Sequence, residues 1–472
     1  MTNYVPTIGI EVHVEVKSKS KLFSNSANTY GMATNTDVNV IDLGYPGTLP
    51  TINKEIIKQG IRAAHILNCN ITHKMHFDRK NYFYPDNPKN YQITQNRTPI
   101  GTNGYVEIEV DGIKKKIEIE EIHIEEDTCK SAHRGNVSLL DFNRAGVPLI
   151  EIVTKPCINN SKEATSYLTK LKELLFYANI SDCKMEEGSM RCDANVSISK
   201  DNTLGVKTEI KNISSIHNVG LAILEEINRQ KEILESGNTI KEETRRFDDK
   251  QNKTILMRVK ETGNDYRYFI EPDIPYLELT DEFITDALKT LPLLPDELRE
   301  KYKKIGLTPL QIEKIIANRA LNSYFLGLLE YKTNYTIAIN LLLSDIASYL
   351  NKHNKLITDT NLTYDKLVTV INSLESGELS NKNIKEIIPS LMETDKTLEQ
   401  LKDEFNIKNI TDNSFIKDII TKVIENNPDS VNDYKNGHDR AIKYLMGQVM
   451  KETKGSVNPK IANDLLIDTL NK

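Results

Sequence analysis

The sequence predicts an α+β protein in which a strand-rich region precedes a helical half. Apolar and polar residues alternate with the period of a strand up to about residue 280, and from Pro292 apolar residues recur with the 3.6-residue period of a helix. A length of 472 residues suits about three domains. We expect a mixed or antiparallel sheet domain at residues 1–292, a helical domain at 293–404 and a small helical tail at 405–472.

The first strand is predicted by PTIGIEVHVEV, whose aliphatic residues at every second position define one face. Glu11 and His13 lie on the other face, about 7 Å apart at a rise of roughly 3.3 Å per residue. A hairpin is predicted at Asp111-Gly112, a pair favoured in type I′ turns. The alternation slips by one residue at Glu120–Glu121, which indicates a β-bulge. Further strands are predicted in VPLIEIV, MRCDANVSIS, GVKTEIKN and KTILMRVK.

Two helices are predicted inside the strand-rich region. SKEATSYLTKLKELLFYA follows Asn160, which forms a capping box with Glu163, and NVGLAILEEINRQKEILESG ends at a glycine. From PDELREKYKKI onwards the pattern is that of amphipathic helices, for which we expect breaks at Pro389, Pro428 and Pro459.

Cysteine usage and hydropathy place the chain in a reducing compartment away from membranes. The five cysteines are scattered and never spaced as CxxC, so neither a disulfide framework nor a structural zinc site is expected. We expect no signal peptide, because MTNYVPTIGIEVHVEV has neither a basic n-region nor an apolar h-region, and no apolar run approaches the roughly 18 residues of a membrane span. We expect a cytoplasmic protein.

Charge is distributed unevenly along a chain whose net charge is −6. Residues 393–433 contain ten acidic and five basic residues, whereas residues 435–472 contain seven basic residues and four acidic ones. A positive end on an acidic protein suits binding to a nucleic acid, and a solvated helix face explains it equally well. The basic residues of this end are Lys435, Arg440, Lys443, Lys451, Lys454, Lys460 and Lys472.

The sequence contains no GxxxxGK[ST] loop, no GxGxxG after a strand, no HExxH and no GxSxG. A nucleotide would therefore have to be bound by a carboxylate-held metal and basic residues. Carboxylates with one imidazole suit Mg²⁺ or Mn²⁺. Glu151 stands out because it interrupts the apolar strand LIEIV, where a charge is costly unless it is paired or bound to metal. The other candidates are Glu11, His13, Glu125, Glu126 and Asp193.

Basic residues accompany these acids. FDRKNYFYPDNPKNYQ interleaves cations with tyrosines, a pattern able to stack bases and pair with phosphates, although a tyrosine-rich loop packed on the sheet would have the same composition. KTEIKN places Lys207, Glu209 and Lys211 on one face, and ETRRF adds Arg245 and Arg246. Arg258, Lys260 and Arg267 follow. Structural ion pairs would produce the same pattern.

Ten segments in one order resemble the B subunit of glutamyl/aspartyl-tRNA amidotransferases, and GQVMKETKGSVNPKIANDLL resembles the C-terminal YqeY-like domain of that family. Ile270 and Tyr276 depart from its pattern, because proline is expected at both positions. The ten segments are IGIEVHVEVKSKSKLFS, IDLGYPGTLP, FDRKNYFYPDNPKNYQI, HIEEDTCK, FNRAGVPLIEIV, KMEEGSMRCDANVSI, KTEIKN, TRRFDD, ILMRVKE and DYRYFIEPD.

The resemblance implies a cradle-like catalytic domain at residues 1–292, a helical domain at 293–404 and a YqeY-like, tRNA-binding tail at 405–472. It also implies that ATP and Mg²⁺ are used to amidate Glu on tRNA(Gln) or Asp on tRNA(Asn). The ammonia would come from an amidase (A) subunit, joined through a small C subunit. The alternatives are a noncatalytic tRNA-binding scaffold and a carboxylate-rich hydrolase of nucleic acid.

By the same resemblance, metal ligands are expected at Glu11, His13, Glu126, Glu151 and Asp193. Glu125 is the alternative to Glu126, because strand parity places Glu125 with His123 and Glu126 with Ile122 and Ile124. Of these, Glu126 and Glu151 are also expected to be catalytic, together with Lys80 and Glu209. The remaining expected contacts to nucleotide or aminoacyl end are Lys80, Tyr82, Ser189, Arg191, Glu209, Lys211, Arg245 and Arg258.

Overall fold

The computed structural model describes residues 4–200, 203–259, 266–407, 413–435, 438, 440–453, 457 and 459–471. Lys260, Lys454 and Lys472 lie outside these ranges. The chain forms two compact units, Met1–Pro295 and Asp296–Lys472. In the described ranges, no helix has the length and apolar character needed to cross a membrane.

Strands dominate the first unit, as the alternating pattern predicts. Its described strands are β1 (Val5–Glu15), β2 (Asn70–Ile71), β3 (Lys74–Met75), β4 (Asp78–Asn81), β5 (Tyr91–Thr94), β6 (Gly101–Val110), β7 (Ile113–Glu126), β8 (Lys130–Arg134), β9 (Val137–Asp141), β10 (Pro148–Thr154), β11 (Met190–Ser199), β12 (Thr208–Lys211), β13 (Glu243–Asp248), β14 (Lys253–Val259), β15 (Phe269–Ile270) and β16 (Leu277–Glu278).

A nine-stranded sheet organises this unit in the order β14-β13-β12-β11-β1-β10-β7-β6-β2. Its neighbouring strands are antiparallel except for β12 and β13, which run parallel. A mixed sheet is therefore confirmed. Smaller sheets join β15, β4 and β5, β16 with β3, and β8 with β9.

The two faces of the large sheet differ sharply in chemistry. On β1 the aliphatic residues Ile8, Ile10, Val12 and Val14 are completely buried, while the residues between them stay partly open to solvent. Helices cover the apolar face, and their buried side chains form one core with it. The described helices of this unit are α1 (Lys54–Ile66), α2 (Ser161–Tyr177), α3 (Ile216–Glu235) and α4 (Asp281–Leu288).

The predicted hairpin and bulge are both confirmed. Asp111 and Gly112 have φ values of 51° and 80° between β6 and β7, as a type I′ turn requires. Opposite β10, the register of β7 shifts so that Val153 pairs with Glu121 and Thr154 with Ile119, which leaves Glu120 as the extra residue.

The predicted capping box at α2 is only half present. The side chain of Asn160 accepts from the backbone N–H of Glu163 at 2.9 Å, as predicted. The Glu163 carboxylate, however, accepts from the N–H of Asn159 rather than that of Asn160. The helix start is still satisfied, because both groups cap backbone donors at the first turn.

The second unit is helical, as predicted. Its helices in the described residues are α5 (Pro295–Lys304), α6 (Pro309–Ala317), α7 (Arg319–Leu328), α8 (Tyr335–Leu341), α9 (Ala347–His353), α10 (Tyr364–Glu375), α11 (Asn381–Glu393), α12 (Leu398–Glu404), α13 (Asn413–Asn426), α14 (Pro428–Lys435), α15 (Arg440–Glu452) and α16 (Pro459–Leu470). A π-helical turn (Leu342–Ile346) joins α8 to α9, and a 3₁₀ turn spans Ile357–Asp359.

The proline breaks are confirmed at two of three positions. Pro428 and Pro459 begin α14 and α16, but Pro389 lies inside α11, so the break predicted there is wrong. The buried stripe of α11 continues on both sides of Pro389 through Ile387, Ile388 and Leu391. Burying that stripe outweighs the loss of one backbone hydrogen bond.

The last helices have an apolar core of their own. Ile416 and Ile420 of α13 pack with Leu445 and Val449 of α15 and with Leu466 of α16. Each of these side chains is completely buried. A core of its own is what a separate domain at the end of the chain requires.

Candidate active site

The polar face of the large sheet brings acids and histidines from distant parts of the sequence into register. One row of directly opposed residues crosses four strands and consists of His123, Glu151, His13 and Arg191. The next row pairs Glu11 with Asp193. Four strands that are far apart along the chain therefore contribute to one polar surface.

His13, Glu125 and Glu151 form the first acidic cluster. The imidazole Nε2 of His13 lies 3.5 Å from a carboxylate oxygen of each glutamate. The hydroxyl of Thr94 on β5 donates to Glu125 at 3.1 Å and orients it. One potential ligand atom from each residue lies within 4.8 Å of the other two.

Glu11, Asp193 and Glu209 form the second acidic cluster, with the same mutual limit of 4.8 Å. Asn195 donates to Glu11 at 2.8 Å. The ammonium of Lys211 reaches Asp193 at 2.6 Å and Glu209 at 2.8 Å. The two clusters lie side by side because His13 and Glu11 are on the same face of β1.

Burial and mutual repulsion raise the pKa values of acids in both clusters. Burial, followed by the charge of Glu151, raises the pKa of Glu125. Burial, followed by repulsion from Glu151 and Asp193, raises the pKa of Glu11. Burial lowers the pKa of His13, which keeps the imidazole neutral and able to bind a metal. A divalent cation would relieve the repulsion that raises these glutamate pKa values.

The donor set fits Mg²⁺ or Mn²⁺, because five carboxylates and one imidazole are hard ligands suited to those ions. The residue opposite Glu151 is His123, whose Nε2 lies 2.9 Å from Glu121 and whose buried Nδ1 atom has no hydrogen-bond partner among the described residues. Burial of an unsatisfied polar atom is costly unless a ligand or water completes it.

Lys80 and a group of tyrosines border the first cluster. Lys80 on β4 pairs with Gln92 of β5, two residues from the Thr94 that contacts Glu125. Burial alone would lower the pKa of Lys80, but Glu125 and neighbouring phenols raise it, so the ammonium stays charged. Its Nζ atom lies 5.0 Å from the ring centre of Tyr266. Tyr82 and Tyr268 contact that same ring edge-on, at 6.2 and 6.0 Å between centres.

Arg191 lies near the start of β11, at the margin of the polar face. Its guanidinium donates to Asp127 at 2.6 Å, and its buried Nε atom has no hydrogen-bond partner in the described part of the chain. Burial, followed by the charge of Asp127, raises the pKa of the nearby Glu15 to about 7. Ser189, just before β11, binds the backbone of Lys184 and so shapes the loop that leads to Arg191.

Of Glu125 and Glu126, the two alternatives for a metal ligand, only Glu125 lies in an acidic cluster of the described residues. Glu126 does not join the acidic clusters, because strand alternation turns it to the other face, where it is buried against Lys89 and accepts from the N–H of Ile93 at 2.9 Å. It lines a small pocket with Asp42, Lys89 and Gly146. The expectation that Glu126 is a metal ligand is therefore corrected.

Arg245 is likewise not brought to the site. It lies on the helix side of the sheet, where it donates to Glu243 at 2.8 Å and to Thr254, and its Nε lies 3.8 Å from Glu226 of α3. Its neighbour Arg246 pairs with Lys211 across β12 and β13 and shares the polar face. Arg258, opposite Thr244 on the edge strand, is exposed on that same face.

Three further residues near the site were missed by the sequence analysis, namely Thr94, Tyr266 and Tyr268. The alternation in DYRYF was the available signal, since Tyr266 and Tyr268 flank one residue. The sequence does not reveal that β15 pairs with β4. This pairing aligns Phe269 with Arg79 and brings the segment beside Lys80. Asn81 fixes the segment by donating to the carbonyl of Arg267 at 2.8 Å.

The mixed sheet with two adjacent acidic clusters on one face belongs to a catalytic domain of the amidotransferase class. Residues 6–285 match the family model described as the GatB/GatE catalytic domain, and residues 323–470 match the GatB domain model. The chain belongs to the B-subunit family of aspartyl/glutamyl-tRNA amidotransferases, whose members are ligase-type amidotransferases.

Curated relatives resemble the chain over its whole length. The B subunit of the aspartyl/glutamyl-tRNA(Asn/Gln) amidotransferase of Geobacillus thermodenitrificans is 45% identical, and the match covers 100% of both chains. The proteins of the same name from Bacillus licheniformis and Geobacillus kaustophilus are 44% and 45% identical with the same coverage.

Proposed function

We propose that this chain amidates the side-chain carboxylate of Glu on tRNA(Gln), of Asp on tRNA(Asn), or of both, in an ATP- and Mg²⁺-dependent reaction. The observation that carries the proposal is the pair of adjacent acidic clusters on one sheet face, with cationic side chains around them. The family name of the relatives supplies the substrate class.

The use of ATP follows from the chemistry of the substrate. A carboxylate repels nucleophiles and offers only oxide as a leaving group, whereas an acyl phosphate offers inorganic phosphate. Phosphorylating the aminoacyl side chain and then displacing phosphate with ammonia gives the amide. Each step moves negative charge between oxygens, so it needs positioned cations.

The residues take the following parts in the proposal. His13, Glu125 and Glu151 would hold one Mg²⁺, and Glu11, Asp193 and Glu209 a second. Bound Mg²⁺ would act as a Lewis acid on phosphate oxygens. Lys80, Arg191, Lys211 and Arg258 would contact phosphate or carboxylate oxygens, and Tyr82 a base or the aminoacyl end, with Ser189 shaping the loop before Arg191.

Ammonia has to arrive unprotonated, because ammonium has no lone pair. We infer that an amidase (A) subunit releases it from glutamine and that a small C subunit joins the two chains in the cytoplasm. The relatives are named as B subunits, which supports the existence of partner chains.

The domain division is also part of the proposal. We infer a catalytic domain at residues 1–292, a helical domain at 293–404 and a tRNA-binding YqeY-like tail at 405–472. The separate apolar core of α13, α15 and α16 supports the last boundary. Deletion from residue 405 is expected to weaken tRNA affinity while the first 290 residues keep their fold, and an unchanged affinity would count against the tail's role.

The central experiment uses the chain assembled with its partner subunits. In the variants His13→Ala and Glu151→Ala we expect phosphate release from ATP with Glu-tRNA(Gln), and amide formation, to fall by at least about 100-fold. Glutamine hydrolysis by the partner is expected to persist.

Matched controls are His65→Ala and Glu118→Ala, which remove an exposed histidine of α1 and an exposed glutamate of β7 that lie outside both clusters. Both controls should retain amidation. Full amidation in His13→Ala and Glu151→Ala would refute the site, and nuclease activity of the chain alone would favour a hydrolase.

A further inference from the structure

Lys211 already occupies the second acidic cluster. Its ammonium contacts Asp193 at 2.6 Å and Glu209 at 2.8 Å, so one lysine pairs with two of the three carboxylates and offsets one of their charges. The other oxygen of Glu209 accepts from the hydroxyl of Thr244 at 3.1 Å. Both oxygens of Glu209 therefore already have donors in the described structure.

The first cluster is different. In the described part of the chain, neither Glu125 nor Glu151 forms a salt bridge with a lysine or arginine, and His13 is the basic partner of both. The Lys80 ammonium borders this cluster but forms no salt bridge with either glutamate in the described structure, so an entering cation displaces no ammonium from these carboxylates. The two clusters are adjacent on one face, but we expect the first to bind a cation more tightly than the second.

A divalent ion and the Lys211 ammonium compete for the same oxygens. Mg²⁺ requires carboxylate oxygens at about 2.1 Å, and an ammonium held by those carboxylates would lie close to the ion and repel it. Lys211 is partly exposed and has a flexible four-carbon stem, so it is able to withdraw toward solvent without moving β12.

We propose that Lys211 is a mobile cation that fills the second acidic cluster in the metal-free protein and leaves it when a divalent ion binds there. Once released, the ammonium remains on the polar face, where it becomes a contact for phosphate. The first cluster binds its divalent ion before the second cluster does. Binding of an ion to the second cluster and release of the Lys211 ammonium occur in the same step. This inference rests on the proposed function.

The experiment measures binding of Mn²⁺ to the full-length chain by calorimetry and by the electron paramagnetic resonance signal of free Mn²⁺. For the unaltered chain we expect one tighter and one weaker ion. In Lys211→Met the weaker site should tighten by on the order of tenfold, because its carboxylates lose their competing charge. Arg246→Met is the matched control, since it removes one positive charge opposite Lys211 on the same face without touching the cluster.

A second measurement needs no variant. Mass spectrometry after labelling with an amine-reactive reagent should show that Mn²⁺ increases the modification of Lys211. Unchanged weak-site affinity in Lys211→Met, an equal gain in Arg246→Met, or no labelling change would each overturn the inference.

Failure of the proposed function looks different. His13→Ala should remove the tighter ion whatever happens at Lys211. Loss of that ion together with an unchanged weaker site in Lys211→Met would overturn only the exchange. Absence of any Mn²⁺ binding by the unaltered chain would overturn both.

Discussion

Arg245 and Arg246 are neighbours on β13, and their side chains leave opposite faces of the large sheet. Arg245 faces α3 and is held by Glu243 and Thr254, beside the completely buried Glu226. Arg246 faces the acidic clusters and lies opposite Lys211. Two adjacent arginines in one motif therefore lie on different faces of the sheet, Arg245 on the helix-covered face and Arg246 on the face that carries the acidic clusters.

Arg245→Ala is expected to destabilise the first unit by roughly 2 kcal/mol, because Glu226 and Glu243 lose one of the two arginines that they share and keep only Arg229. Arg246→Ala should change the free energy of unfolding by less than about 0.5 kcal/mol but impair amidation. Chemical denaturation and the amidation assay separate the two effects. A stable Arg245→Ala variant with defective amidation would contradict this division.

The sequence was sufficient to predict the faces of single strands. The alternation in β1 identified the buried face and the polar face that carries Glu11 and His13, and Asp111-Gly112 and Glu120 predicted the hairpin and the bulge. These features are local, since period-2 alternation and turn chemistry need no knowledge of neighbouring strands.

What the sequence could not supply was how distant strands pair. Parity alone placed Glu125 with His123, but which face meets His13 depends on the registers of β7, β10 and β1. The orientation of Arg245 depends in the same way on the parallel pairing of β12 with β13. The prediction at Pro389 failed for a related reason, since tertiary burial of the α11 stripe overrides local propensity.

The buried pair of Lys89 and Glu126 makes a second prediction. Both side chains are nearly enclosed, and Glu126 also accepts from the N–H of Ile93. Lys89→Met should therefore lower the free energy of unfolding by about 3–5 kcal/mol, because it leaves a buried carboxylate without its cation. Adding Glu126→Gln should recover a large part of the loss, and thermal or urea unfolding of the three variants measures it.

A double variant as unstable as Lys89→Met would show that the packing of Lys89, and not the charge of Glu126, is what matters. The matched surface pair is Lys114 with Glu107, both well exposed on the β6–β7 hairpin. Lys114→Met is expected to change the unfolding free energy by less than about 1 kcal/mol.

Tyr266 makes a third prediction, because its ring lies 5.0 Å from the Lys80 ammonium. A cation–π contact of this kind is worth about 0.5–2 kcal/mol, and here it holds the ammonium beside the first cluster. Tyr266→Leu should lower kcat of amidation several-fold with little change in stability, whereas Tyr266→Phe, which keeps the ring face, should stay near the unaltered rate. Equal losses in both variants would instead indicate that the phenol hydroxyl is what matters.

The cysteines make the last prediction, since three of the five thiols are buried and Cys69 and Cys157 are partly buried. Burial raises the pKa of Cys69 to about 12 and those of Cys129 and Cys183 to about 11, and it also raises the pKa values of Cys157 and Cys192. A thiol reacts as its thiolate. Alkylation of the folded chain at pH 8 should therefore be much slower than alkylation in urea, where five thiols become available.

The same shifts set a dependence of stability on pH. The folded chain keeps thiol protons that the unfolded chain releases near pH 9, so the unfolded state binds fewer protons between about pH 9 and the folded pKa values of 11 to 12. The free energy of unfolding should fall as pH rises through that window and show no thiol contribution below it. Urea titrations at pH 8 and pH 10 measure the difference, and Cys69→Ala should reduce it. Rapid alkylation of the folded chain at pH 8 would contradict the burial of the thiols.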